Sequence, residues 1–242
     1  MPASPTAPAP EKSLDAKLAR IIADPSCQDF ILADAKDPDM AFGLAAPGLK
    51  AGGDPKHGPY RTLAEFHDAI REIVGESLVD IMLMSASTSE KLAIDEGIFR
   101  NSPVTPAVRM NDTSDIWLAS GSGGYAKEPA LPFATTTIHQ ARSGHVAGCE
   151  PAGPYAVDLG LFSVTLNDDA VLDRAMLEAY RGFRIEAEQE GFRHFLEVFF
   201  PNALGRVPGK DPAARPANIA RFLADHVVRM LAGVPKAGRP VF

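Results

Sequence analysis

The chain has 242 residues, of which 45% are hydrophobic and 23% charged, a composition typical of a soluble globular protein. The formal net charge of −7 disfavours a nucleic-acid-binding surface, and no apolar run reaches the roughly 18 residues of a membrane-spanning helix. Cys27 and Cys149 have neither metal-ligand spacing nor a disulfide framework, which favours reduced thiols. We therefore expect a cytoplasmic protein that acts on a small molecule and binds neither nucleic acid nor membrane.

Segment Met1–Lys12 is rich in Pro, Ala and Ser and has no apolar core, so we expect a disordered tail. Beyond it, apolar periodicity predicts helices and strands in alternation. The predicted strands are Phe30–Asp34, Val79–Met84, Val104–Met110, Ala156–Leu166 and Arg193–Pro201, with a sixth beginning in Arg239–Phe242. The predicted helices are Leu14–Ala23, one that begins at Thr62 with a capping box to Glu65, Glu90–Glu96, Phe133–Ala141, Asn167–Glu190 and Asn218–Leu231.

This alternation, without hairpin signals, predicts a parallel α/β sheet. The segment 35–61 is rich in Gly, Pro and Asp and is predicted to be a long loop. Two architectures fit the pattern: an open doubly wound sheet or most of a (β/α)8 barrel. A complete barrel usually takes about 250 residues. Because this chain spends its 242 residues on about six strands, we expect it to be short of barrel closure.

One carboxylate, Glu197, interrupts a strand that is apolar on both faces. An ionised carboxylate in such a strand costs several kcal/mol unless a partner stabilises it. Glu197 therefore either has a structural partner or lies at the rim of an active site.

Further candidates follow the first predicted strand, since ligands bind at the carboxyl ends of strands in both architectures. Asp34 is either an acid–base or substrate-binding carboxylate, or a residue that caps a backbone turn. Lys36 is a candidate substrate contact. Asp37 and Asp39 belong to a solvated loop or, together with Asp34, to a metal site, although a complete calcium-loop spacing is absent.

Arg109 and Asn111 alternate onto one face at the end of the third predicted strand. The arginine either binds a phosphate or carboxylate in a fork, or pairs with a neighbouring acid. The Gly121–Gly124 loop does not open a helix, which disfavours phosphate binding there. Three histidines lack a partner at a diagnostic spacing and favour surface or core roles: His139, His145 and His194.

Four segments, in this order and spacing, resemble the class I aldolases of the tagatose-1,6-bisphosphate aldolase type. They are Ile31–Asp34, Pro106–Asp115, Ala156–Phe162 with the acidic turn Asn167–Asp169, and Phe195–Phe199. The last is similar to the Phe-Leu-Glu strand of the family. The resemblance covers residues 29–242 and implies a (β/α)8 barrel domain over residues 13–242, with strands seven and eight missing.

The resemblance implies aldol cleavage or condensation of a sugar phosphate or related ketone through a Schiff base, without metal or cofactor. Glu197 and Asp34 would be the catalytic carboxylates, and Arg109, Asn111 and Lys36 the substrate contacts. The Schiff-base lysine would lie just beyond Phe242.

Two alternatives stay open beside this expectation. One is a non-catalytic protein that binds sugar phosphates on the same scaffold. The other is a metal-assisted barrel enzyme that uses Asp34, Asp37 and Asp39. An exposed sheet edge after Phe242 would favour association into a homo-oligomer.

Overall fold

A computed structural model describes residues 10–111, 124, 127–149, 155–203 and 219–242. Its strands are β1 (Ala33–Lys36), β2 (Leu49–Asp54), β3 (Gly58–Tyr60), β4 (Ile81–Met84), β5 (Thr105–Arg109), β6 (Leu159–Thr165) and β7 (Arg193–Phe199). Its α-helices are α1 (Ser13–Ala23), α2 (Asp39–Phe42), α3 (Leu63–Glu76), α4 (Ala86–Ser89), α5 (Ile138–Ser143), α6 (Ala170–Glu190) and α7 (Ile219–Ala232). Helix α4 continues as a π-helix over Glu90–Asp95.

Five strands form one parallel sheet in the order β1-β4-β5-β6-β7. Within the described residues this order never reverses, unlike the order in a doubly wound sheet. The sheet is curled into a half-barrel. The predicted parallel α/β class is confirmed, and the arrangement is compatible with part of a (β/α)8 barrel.

The segment that follows β1 differs from its prediction. Where sequence analysis expects one long loop over residues 35–61, β2 and β3 form an antiparallel hairpin, with Leu49 opposite Tyr60 and Asp54 opposite Gly58. Backbone pairing stabilises this hairpin, and its strands have no buried residue. The hairpin therefore lacks the apolar alternation that predicts a strand from sequence.

The bounds of β1 also differ from those expected. The strand begins at Ala33 and ends at Lys36, whereas the apolar run predicts Phe30–Asp34. Pairing with β4 over Ile81–Met84 determines these bounds, and the Phe30 side chain is 70% exposed.

Helices cover the outer face of the sheet and form the larger core with it. Buried residues of this core come from α3, the π-helix, α5 and α6, and from outward positions on the strands: Phe66, Ile70, Leu92, Ile138, Met176, Tyr180, Met82, Met84, Val108 and Phe162. Helix α3 begins with the predicted capping box between Thr62 and Glu65. Helix α6 is capped by Asp169 instead of the predicted Asn167.

The inner face has a smaller apolar core, which α1 and the C-terminal residues cover. Its buried members are Leu14, Ile81, Leu83, Ala107, Leu159, Leu161 and Phe195. Beside β7, Val241 N–H donates to His194 O at 2.8 Å and Leu196 N–H donates to Phe242 O at 3.2 Å. Among the described residues, the sheet has five strands, and the residues 239–242 that were expected to begin a sixth strand form none, since they make only these two hydrogen bonds with β7.

Polar contacts of α1 cover the amino ends of the strands. Lys12 Nζ donates to three carbonyl oxygens of the segment before β5, at 2.8–2.9 Å. Lys17 pairs with Asp80 at 2.7 Å, and Asp15 pairs with Arg193. Lys12 is therefore anchored, while residues 1–9 of the predicted tail lie outside the described residues. Since α1 covers this end, the carboxyl ends are the place to look for a site.

Candidate functional site

Three inward-facing polar residues follow the apolar inner core toward the carboxyl ends of the central strands. Side chains alternate between the faces of a strand, so Arg109 of β5 shares the inner face with Ala107. On β6 and β7, Ser163 and Glu197 lie opposite each other in the register and face the same way. The pleat of three neighbouring strands thereby brings a guanidinium, a hydroxyl and a carboxylate together.

These side chains form a hydrogen-bonded cluster. Arg109 Nη2 donates to Ser163 Oγ at 2.9 Å, and Ser163 Oγ donates to Glu197 Oε2 at 2.9 Å. Arg109 Nη2 also lies 3.4 Å from Glu197 Oε2, and Arg109 Nη1 donates to Asp37 Oδ2 at 2.8 Å. We call these four residues the Arg109 cluster.

The carboxylates of the Arg109 cluster have different environments. The Asp37 side chain is 12% exposed, and burial raises the pKa of its carboxyl group, an effect that the neighbouring guanidinium of Arg109 partly offsets. The Glu197 side chain is 40% exposed, and its hydrogen bonds and ion pair with described residues use Oε2. Its Oε1 makes none of these bonds, whereas the Asp37 carboxylate pairs with the buried guanidinium of Arg109.

Asn111 extends the junction between β5 and β6 beyond the last paired residues. Its Nδ2 donates to Ser163 O at 2.9 Å, and Ser163 N–H donates to Asn111 Oδ1 at 2.7 Å. The amide thus replaces a backbone partner for Ser163 and fixes the orientation of this residue. In this structure Asn111 is a positioning residue for the Arg109 cluster.

The other two predicted site residues face away from this cluster. Asp34 lies opposite Met82 in the register and Lys36 lies opposite Met84, and both methionines belong to the outer core. Lys36 Nζ lies 3.2 Å from Asp34 Oδ2. The structure thus brings Glu197, Arg109 and Asn111 together. It separates Asp34 and Lys36 from them. The catalytic and substrate-binding roles of all five residues stay predictions.

Sequence analysis did not single out Ser163. It lies within a strand whose residues are all buried, and a lone serine there has no motif around it. The sequence feature that could have identified Ser163 is its position two residues after Leu161, which places both side chains on the same face of the strand.

A cavity of about 480 Å³ opens beside Arg109, between the carboxyl end of β4 and helices α4 and α5. Its volume lies within the range of small-molecule sites. Its polar lining residues are Asp39, Ser85, Ser87, Glu90, Arg109, Thr135, Thr136 and Gln140. The cavity adjoins the Arg109 cluster through Arg109 itself.

Asp39 is held at the wall of this cavity by hydroxyl groups that follow β4. Ser85 Oγ donates to Asp39 Oδ2 at 2.5 Å, and Thr88 Oγ1 donates to the same oxygen at 3.3 Å. Thr88 Oγ1 also lies 3.5 Å from His67 Nε2. Burial lowers the pKa of this histidine, with a further contribution from Arg71.

Within the described part of the chain, no group of three or more His, Cys, Asp or Glu side chains is arranged to hold a metal ion. Asp34, Asp37 and Asp39 have different partners, namely Lys36, Arg109 and the Ser85–Thr88 hydroxyls. The predicted Gly121–Gly124 loop lies outside the described residues apart from its last glycine. None of the described helices combines the length and apolar character needed to span a membrane.

Comparison with known proteins adds no assignment. No protein-family model matches the chain, and no curated protein matches it significantly in sequence.

Proposed function

We propose that the Arg109 cluster belongs to a carbon–carbon lyase of the class I aldolase type, in which Glu197 transfers protons at a carbonyl substrate. The observation that carries the proposal is the position of Glu197: on the inner face of the fifth parallel strand, near its carboxyl end. That is the end at which parallel α/β enzymes bind their ligands. A carboxylate with one fixed and one available oxygen suits general acid–base work.

The contacts of Glu197 support this role. Because Ser163 and Arg109 hold Oε2, the carboxylate has a fixed orientation toward the mouth of the half-barrel. In aldol cleavage, Oε1 would take the proton from the substrate hydroxyl as the carbon–carbon bond breaks. The electron pair of that bond then moves toward the iminium nitrogen and leaves an enamine. Glu197 returns the proton to the enamine carbon.

The proposal also needs an amine that forms the iminium. As the sequence resemblance implies, we propose that this lysine lies just beyond Phe242, on the strand beside β7. The hydrogen bonds of Val241 and Phe242 with β7 support that place, since they direct the chain along this edge of the sheet. A desolvated lysine at such an edge would have the lowered pKa that a nucleophile requires.

Hydrogen–deuterium exchange tests the role of Glu197 without that lysine. The 242-residue chain is incubated in D2O with dihydroxyacetone phosphate and a small primary amine, which forms the iminium in solution. We expect faster exchange of the substrate C–H protons than with amine alone, measured by proton NMR. Glu197→Gln should lower the exchange rate that the protein adds by about 100-fold, because the amide cannot accept the proton. The control Glu178→Gln alters a 63% exposed carboxylate on α6 and should exchange normally. Equal rates for chain and buffer, or for Glu197→Gln and the unmodified chain, would refute the proposal.

Borohydride trapping tests the position of the lysine separately. With a ketose phosphate and borohydride, we expect no covalent adduct on the 242-residue chain by mass spectrometry. An adduct would show that a lysine within these residues forms the Schiff base.

The alternative is a non-catalytic protein that binds sugar phosphates. Arg109 and Asn111 direct their polar atoms at neighbouring protein groups, as structural residues do, which favours the lack of catalysis and not the phosphate ligand. Tight binding of a ketose phosphate without any exchange in the assay above would favour this alternative.

A further inference from the structure

We infer that the cavity beside Arg109 binds an uncharged, hydroxyl-rich part of the substrate and excludes phosphate. This inference rests on the proposed function, because it assigns a substrate portion to the cavity that adjoins the Arg109 cluster. It is carried by the charge and hydrogen-bonding groups of the lining residues.

The charges of the lining disfavour an anion. Asp39 and Glu90 are both acidic, and Arg109 is the cation among the described lining residues. Arg109 already lies between the carboxylates of Asp37 and Glu197, at 2.8 and 3.4 Å. Its positive charge is therefore neutralised within the protein, and a phosphate in the cavity would face two uncompensated carboxylates.

The neutral groups of the lining suit hydroxyls. Serine, threonine and glutamine side chains surround the cavity: Ser85, Ser87, Thr135, Thr136 and Gln140. Hydroxyl and amide groups both donate and accept hydrogen bonds, so they complement a polyol, whose hydroxyl groups do the same.

Two lining residues also keep a buried polar atom without a partner among the described residues. These atoms are Asp39 Oδ1 and Arg109 Nε. A buried polar atom without a hydrogen bond is costly, and Arg109 is only 8% exposed. Because these two atoms have almost no exposed surface, a substrate hydroxyl reaches them only after the side chains of Asp39 and Arg109 rotate toward the cavity. In that position it would donate to the carboxylate oxygen and accept from the guanidinium. A phosphate group would accept from Arg109 but repel Asp39.

Equilibrium binding of the neutral ketose D-fructose to the 242-residue chain tests the inference by calorimetry, with inorganic phosphate as the competitor. We expect D-fructose to bind and an excess of phosphate not to displace it. Asp39→Asn should weaken binding about tenfold, because the lost acceptor was a charged oxygen. Glu90→Gln removes one of the two acidic groups and should weaken the exclusion of phosphate without abolishing it, because Asp39 remains. Asp68→Asn removes a 74% exposed carboxylate on α3, outside the cavity, and is the matched control that should bind like the unmodified chain.

Three results would overturn the inference: no binding of D-fructose, displacement of D-fructose by phosphate from the unmodified chain, or unchanged binding in a folded Asp39→Asn variant. The binding measurement involves no turnover. Retained binding with no proton exchange would therefore refute the proposed function alone, whereas exchange in the aldolase assay with phosphate competition would refute the cavity assignment alone.

Discussion

Replacement of Arg109 by methionine tests whether the guanidinium is chiefly a partner for Asp37. The side chains of Arg109 and Asp37 are 9% and 12% exposed, so the variant leaves a buried carboxylate without its cation. Removal of one partner from a buried ion pair costs about 3–5 kcal/mol of the free energy of unfolding. Glu197 contributes little to this loss, about 0–1 kcal/mol, because it is partly exposed and keeps its bond from Ser163.

The pH dependence identifies the group responsible. Burial already raises the pKa of Asp37, and loss of the Arg109 charge raises it further. A raised folded pKa means that the folded state binds the proton more tightly, so stability declines as pH rises through that pKa. The deficit of Arg109→Met should therefore shrink as the pH falls and Asp37 becomes protonated.

Urea denaturation of the unmodified chain, Arg109→Met, Asp37→Asn and the double variant measures these effects, at about pH 7.5 and about pH 5. The double variant should be about 2 kcal/mol more stable than the sum of the single effects predicts, because no unpaired charge remains. A pH-independent deficit, together with additive single effects, would refute the assignment of Asp37 as the main partner.

Two further predictions concern the core. Gly160→Ala should lower the free energy of unfolding by about 1–3 kcal/mol, since a Cβ there would lie 2.5 Å from Met110 Cγ. Gly182→Ala on α6 has open space around the new Cβ and should raise the free energy of unfolding by about 0.5–1 kcal/mol. Thermal denaturation checks the pair, and equal effects would contradict the packing argument. Burial lowers the pKa of His194 from 6.5 to about 4 in the folded chain. Between pH 6.5 and about pH 4, the imidazole is therefore protonated in the unfolded chain but not in the folded one. Stability should fall by about 3 kcal/mol as the pH drops through this window. His194→Gln, which retains a partner for Tyr180, should flatten the profile in urea titrations, and an unchanged profile would exclude His194 as the cause.

Sequence patterns gave much of the local structure because the information was itself local. The capping box of α3 requires two side chains three residues apart, and both are present in the structure. Alternation placed Arg109 and Asn111 on one face of the chain at the end of the third predicted strand. The lone His194 was expected at the surface or in a satisfied core, and it is buried with its Nε2 at 2.9 Å from Tyr180 Oη.

Local sequence patterns did not predict the hairpin of β2 and β3 or the bounds of β1. Both depend on a partner strand instead of on apolar periodicity: β3 for the hairpin, and β4 for β1. Ser163 was missed for a similar reason, since its role depends on Glu197, 34 residues away in sequence.

The sequence by itself determined the alternation of strands and helices, and with it the parallel α/β class, because side-chain periodicity is a property of each segment alone. It also marked Glu197 as a carboxylate that either has a structural partner or lies at the rim of an active site. Only the tertiary structure decided which face each strand directs inward. Alternation gives the relative faces of neighbouring residues, whereas the helices that cover the sheet determine which of the two is the outer one. That choice turned Asp34 and Lys36 toward the outer core and brought Glu197, Ser163 and Arg109 together at the mouth of the half-barrel.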